Sequence, residues 1–109
     1  MTTAYKVLAQ NAPAATTHTT LYTVPLGNSA VVSTLAICNQ GNTTTYRVAV
    51  QPSGENTVLA KHYIVYDSYV NGLDSVFLTL GLSLAANDSV RVYSGTPNIA
   101  FNLYGSEIY

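Results

Sequence analysis

Along this chain apolar residues alternate with small polar ones at every second position, and the 3.6-residue period of an amphipathic helix is hard to find. Val76, Leu78, Leu80, Leu82 and Leu84 fall on one side of such an alternation, with Phe77, Thr79, Gly81 and Ser83 on the other. Leucine favours helices intrinsically, yet helical spacing would scatter these five around a cylinder, whereas a strand gathers them on one face. Val90 and Val92 alternate with Arg91 and Tyr93 in the same way. So do Ile99, Phe101 and Leu103 with Asn102 and Tyr104, and Tyr46, Val48 and Val50 with Arg47, Ala49 and Gln51.

Turn chemistry separates these runs. Pro25-Leu26-Gly27-Asn28, Gln40-Gly41-Asn42, Pro52-Ser53-Gly54, Asn71-Gly72, Ala86-Asn87-Asp88 and Gly95-Thr96-Pro97-Asn98 carry residues that pre-set or tolerate turn dihedrals. Asn71-Gly72 is the strongest hairpin signal, since a type I′ turn needs positive φ at both central positions. The pattern predicts strands over 4–10, 17–24, 29–39, 43–51, 60–70, 74–84, 88–94 and 98–108. Eight short strands at this spacing predict an all-β fold, an antiparallel β-sandwich of two sheets, jelly-roll-like or immunoglobulin-like. The length of 109 residues fits a single domain over 1–109. Within it, residues 1–20 read as an N-terminal strand followed by an extended segment. Asn11 to Thr20 is either a loop to the opposite sheet or an arm that orders against a partner.

Charge changes the picture most. Only 8% of residues are charged, against about 25% in ordinary soluble domains. Lys6, Arg47, Lys61 and Arg91 are scattered and the net charge is −1, so no basic stripe predicts nucleic-acid binding. With 48% hydrophobic residues the chain is expected to fold, and so neutral a surface has little electrostatic protection against self-association. No apolar run approaches the roughly 18 residues of a membrane helix. The first residues lack the basic and apolar regions of a secretory signal, which predicts synthesis and folding in a cytoplasm.

Candidate chemistry is sparse. Cys38 sits in an apolar run and reads as a small buried hydrophobe. Asp74 and Asp88 lie in turns, where carboxylates cap backbone N–H groups. His62 and Asp67 are five apart on one predicted strand and point to opposite faces unless a bulge intervenes. Gly81, inside a strand, marks a bulge or close packing. With no phosphate loop, no nucleophile elbow and no clustered ligands, the sequence predicts neither an enzyme nor a bound cofactor or metal. Nine tyrosines and no tryptophan are the remaining feature. Tyrosine supplies contact area at low entropic cost and is enriched at interfaces. Tyr63 and Tyr66 are expected on opposite faces of their strand.

LYTVPLGNSAVVSTLAICNQGNTTTYRVAV at Leu21 to Val50 is followed by KHYIVYD at Lys61 to Asp67 and LTLGLSLAANDSVRVYSG at Leu78 to Gly95. The chain closes with FNLYGSEI at Phe101 to Ile108. In that order these segments resemble small virion proteins of tailed bacteriophages, many of them from cyanophages. The resemblance implies a β-sandwich structural protein of a virion. The role expected is capsid decoration, with a homo-oligomer, a trimer, bridging major capsid subunits from outside. Attachment to a tail, neck or fibre is an alternative, and a carbohydrate-binding module for host surface glycans is another. The residues expected to make contacts are Asn11, Pro13, Thr16, Thr17 and His18 in the N-terminal segment, and His62, Tyr63, Tyr69, Tyr93 and Tyr104 among the strands.

Overall fold

The computed structural model describes every residue from Met1 to Tyr109. Its strands are β1 (Thr3–Asn11), β2 (Thr19–Thr23), β3 (Ser29–Asn39), β4 (Thr44–Gln51), β5 (Tyr63–Val70), β6 (Ser75–Leu84), β7 (Ser89–Ser94) and β8 (Ile99–Ile108). All eight predicted strands are present. The differences are at ends, the largest being a single 3-10 turn at Ala60–His62 where strand was expected. There the Leu59 N–H donates to His62 Nδ1 at 2.9 Å, closing the turn before β5 begins.

Two four-stranded sheets pack face to face, in the orders β1-β8-β3-β6 and β2-β7-β4-β5, with every pairing antiparallel. The pairs β1–β8, β2–β7, β3–β6 and β4–β5 describe one long doubled ribbon rolled upon itself, which is the jelly roll. An immunoglobulin arrangement would keep the first two strands in one sheet, but here β1 and β2 are in different sheets. Only β4 and β5 are both consecutive and paired.

Asn71-Gly72 is therefore a turn but not a hairpin, because it carries the chain from β5 in one sheet to β6 in the other. The left-handed residue is Leu73, at φ 59°, rather than either central position of a type I′ turn. Gly72 is needed for room. A Cβ there would lie 2.8 Å from the Gly41 carbonyl oxygen.

The inward positions are those the alternation assigned to one side. Val32, Leu35, Ile37, Val48, Phe101 and Leu103 are fully sealed from solvent, and each such side chain contributes about 1.5–3 kcal/mol of burial. Tyr46 of one sheet meets Phe101 of the other edge-on, with ring centres 6.4 Å apart. Along β6 the inward residues Val76, Leu78, Leu80 and Leu82 are only partly buried against this core. Cys38, expected inside, is half-buried, because the alternation from Ile37 turns it to the outer side of β3.

Polar groups fasten both ends. Asn39 is buried, and its Nδ2 donates to the carbonyls of Asn42 (2.8 Å), Val70 (3.2 Å) and Asn71 (3.2 Å), while its Oδ1 accepts the Gly41 N–H at 3.0 Å. At the other end Asp88 accepts from the backbone N–H groups of Ala85 and Ser53, each at 2.9 Å. Asp74 caps Ser75 N–H at 2.8 Å. Between the sheets near β1, buried Glu107 pairs with Lys6 at 2.6 Å and accepts the Tyr22 hydroxyl.

Asn11 to Thr20 crosses between the sheets rather than forming a detached arm. Pro13 is buried and the Thr16 N–H donates to the Ser94 carbonyl at 2.8 Å. The preceding residues form β1, whose pairing runs from Thr3 to Asn11 against β8. Removing them would expose the β8 ladder.

Asn39→Ala should lower stability by about 1–3 kcal/mol, because carbonyls of two crossovers lose a buried donor. Urea unfolding measures it. Gly105 sits in the middle of β8, where an added Cβ would lie 2.1 Å from the Val31 carbonyl oxygen. Gly105→Ala should cost about 1–3 kcal/mol or more, while Gly81→Ala, whose Cβ meets nothing within 4 Å, should unfold near the wild-type midpoint.

Candidate functional site

The two outer faces differ in chemistry. On the β1-β8-β3-β6 sheet, directly paired residues form outward rows: Tyr5, Ser106, Val31 and Ser83; Val7, Tyr104, Thr34 and Thr79; Gln10, Asn102, Ala36 and Phe77. None of these is charged, and Tyr5 (86%), Phe77 (70%), Val7 (49%) and Val31 (39%) are exposed. The outer face of β2-β7-β4-β5 holds Arg47, Arg91 and Asp67 instead.

Arg47 organises that second face. It points outward between inward Tyr46 and Val48, and in register lies opposite Tyr93 of β7. On its other side β5 is bulged: Tyr46 pairs with Ser68 and Val48 with Val65, so Tyr66 and Asp67 both stand opposite one arginine. Asp67 takes the left-handed conformation, φ 50°, which aspartate tolerates better than most residues. Its carboxylate grips the guanidinium with two bonds, Nε to Oδ1 at 2.6 Å and Nη2 to Oδ2 at 3.2 Å.

Aromatic rings enclose this pair. The guanidinium carbon lies 4.4 Å from the Tyr66 ring centre and 4.5 Å from that of Tyr93, so the cation is stacked between two π faces. Tyr63 meets Tyr66 edge-on at 4.9 Å. This corrects the expectation that the two rings take opposite faces. A second irregularity, with Val65 opposite Val48 but Tyr63 opposite Ala49, breaks the alternation between them. His18 packs on Tyr93 at 4.9 Å, and its Nε2 lies 3.3 Å from the Tyr63 hydroxyl. Beside the cluster an open depression of about 550 Å³ is lined by Ala60, Tyr63 and Tyr66.

Of the residues expected to make contacts, His18, Tyr63 and Tyr93 come together here, and Tyr69 is exposed on the same sheet opposite Thr45. Tyr104 lies on the other sheet's outer face. His62 is buried, with Nε2 3.2 Å from Glu55 Oε1, so it fastens the turn before β5 and is not available to a partner. Asn11 ends β1, Pro13 is internal, and Thr17 turns its hydroxyl back to the Ala15 carbonyl at 3.0 Å. Sequence reasoning missed Arg47 and Asp67. The available signal was a lone arginine in an otherwise uncharged strand with an aspartate among tyrosines on the next.

The cluster therefore sets aromatic rings beside a fixed donor–acceptor pair. The side chains do not gather three or more His, Cys, Asp or Glu groups that could hold a metal. No protein-family model, no curated protein and no solved structure matches the chain.

Arg47 holds the Asp67 carboxyl below its usual range. Lys6, then Tyr22, do so for Glu107, and Lys61, then His62, for Glu55. Burial, reinforced by Arg47 and Arg91, lowers His18 below 6.5. In all four the folded chain binds protons less readily than the unfolded one, so each contribution is present above the unfolded pKa and lost as pH falls through the folded value. Thermal scans should show a midpoint that is steady above about pH 7, declines below about 6.5 as His18 resists protonation, and drops further below about 4.5. His18→Gln should remove the first decline and keep the second.

Proposed function

We propose that this protein is a structural component of a bacteriophage virion, a decoration protein that binds the outside of the capsid as a homo-oligomer and bridges major capsid subunits. The observation that carries the reading is the uncharged outer face of the β1-β8-β3-β6 sheet. An exposed face with Tyr5, Val7, Val31 and Phe77 and no charged side chain is poorly matched to water and well matched to burial against another protein. At strand spacings of about 4.8 Å and about 3.3 Å per residue, four strands of this length present about 600 Å². That is close to one partner's share of a stable interface.

Two further features support it. Edge strand β6 is ten residues long and has neither charge nor proline, two of the devices that keep sheet edges apart, although it is bulged between Thr79 and Leu82. A neighbouring copy that covers this edge would also complete burial of Leu78, Leu80 and Leu82, which supports a homo-oligomer. The jelly roll itself recurs in viral capsid domains, a likeness of fold and not of function. In an assembly of many copies each contact can be weak, because symmetry repeats it.

Quantitative mass spectrometry of purified virions, scaled to the major capsid protein, tests the reading. A copy number comparable with the shell protein is expected. A few copies per particle would move the protein to the tail, neck or a fibre, and absence would overturn the virion assignment. Phe77→Lys, at an exposed position, should fold normally and lower capsid occupancy about tenfold or more, since burying one unpaired charge opposes binding.

A further inference from the structure

We propose that two copies of this chain join through the free edge of β6, antiparallel about a twofold axis at Phe77, so that their sheets become one continuous sheet. This dimer would supply the homo-oligomer of the reading above, and its bearing on a shell rests on that reading.

The four sheet edges are not alike. β1 carries Lys6 and a bulge between Val7 and Ala9, β2 is five residues long, and β5 carries Asp67 and two irregularities. Each of these is a device that keeps an edge from pairing. β6 has the composition of an inner strand instead, with Val76, Leu78, Leu80 and Leu82 turned to the core and no charge along its length. Its irregularity, between Thr79 and Leu82, leaves Ser75 to Thr79 in unbroken register with Cys38 to Thr34. The β1 side of the sandwich is also tied shut by Lys6, Glu107 and Tyr22. No strand pairing or ion pair ties β5 to β6 on the other side.

The ladder shows which backbone groups are free. Asn39 N–H donates to the Asp74 carbonyl at 2.9 Å, and the two residues stand directly opposite when that register is extended by one. In an antiparallel pair such bonded positions alternate with unbonded ones. Val76 and Leu78 therefore bond to Ile37 and Leu35, and the N–H and C=O groups of Ser75, Phe77 and Thr79 point away from β3. Asp74 Oδ1 holds the Ser75 N–H at 2.8 Å, as suits an N–H outside the ladder. Phe77 and Thr79 keep theirs.

A twofold axis at Phe77 satisfies these groups. Phe77 then exchanges both backbone bonds with Phe77 of the second copy, and the Thr79 N–H donates to the Ser75 carbonyl across the axis. The two Phe77 rings, each 70% exposed in the single chain, become cross-strand neighbours on the outer face. On the inner face Val76 comes opposite Leu78 of the other copy, so each aliphatic row is continued by the other. Antiparallel pairing of an edge with itself requires the axis to stand perpendicular to the sheet. Both uncharged outer faces then look the same way. Together they present about 1,200 Å², more than the roughly 800 Å² that one partner gives to a stable interface.

Sedimentation of the full chain over a range of concentrations tests the contact, together with amide hydrogen exchange read by NMR. A dimer is expected. Its Phe77 and Thr79 amides should be protected and should exchange freely in Phe77→Lys, while Leu78 stays protected in both. Phe77→Lys and Phe77→Glu should each weaken dimerisation about tenfold or more, since like charges then face each other across the axis. An equimolar mixture of the two variants should restore it, because the position meets itself. Phe77 is exposed, so thermal scans should find both variants folded. A monomer at every concentration, a dimer in which Phe77 and Thr79 exchange freely, or no recovery in the mixture would each overturn the twofold contact. The copy number in virions is a separate result, and a dimer of this kind would stand whatever that count shows.

Discussion

The buried amide of Asn39 is the constraint on which the topology depends. Six of the seven connections pass from one sheet to the other, and each brings backbone carbonyls and N–H groups to the end of a closed apolar core. Such groups are costly when unpaired. Asn39 meets the requirement for two crossovers at once, reaching the turn after β3 and the turn after β5. Backbone bonds then add the third: Gln40 N–H reaches the Asn98 carbonyl at 2.8 Å, in the turn between β7 and β8. An aspartate would offer acceptors only, and a leucine neither kind of group. The side chain must be an amide because the turns around it present carbonyls and an N–H together.

Asp88 does the complementary work at the far end, where the groups in need are N–H donors. It draws in the turn between β6 and β7 and the start of the long β4–β5 connection. Its own carbonyl accepts the Val24 N–H at 3.0 Å. The sandwich is thus fastened at its ends by two polar side chains and filled between them by period-two apolar residues. That division explains how a chain with so little charge still places each of its few polar anchors where backbone groups converge.

The strands were legible because their signal is local. Alternation and turn residues sit within ten positions of each other, and the eight segments follow from them. Which strands pair was not legible, because β1 with β8 and β2 with β7 join opposite ends of the chain and leave no local mark. Asn71-Gly72 shows the difference. Its residues do make a turn, but a hairpin reading assumes that neighbours in sequence are neighbours in a sheet, and here they are not. The candidate site was hidden by a related cause. Alternation assigns Tyr63 and Tyr66 to opposite faces, and irregularities set by pairing with β4 bring them to the same one. His62 was misread for a third reason. Its neighbours in sequence are tyrosines, while its partners in space are Glu55 and a backbone N–H three residues earlier.

Those irregularities also shape one of the two outer faces. Arg47 and Arg91 point outward there by ordinary alternation along the regularly paired β4 and β7. The bulge in β5 places two residues opposite Arg47, and the second of them, Asp67, turns left-handed to reach the guanidinium. A sandwich with one uncharged face and one face bearing a stacked cation has two surfaces that do not compete for the same partner. On the proposed reading, burial of the uncharged face against a shell leaves the arginine and its tyrosines turned away from that shell. The sheets are two layers of one rigid core, so contact on one side neither uses nor distorts the residues on the other. A protein held by one face in many copies would then present the other face as a repeated array. In such an array a contact too weak to hold alone gains from multiplicity.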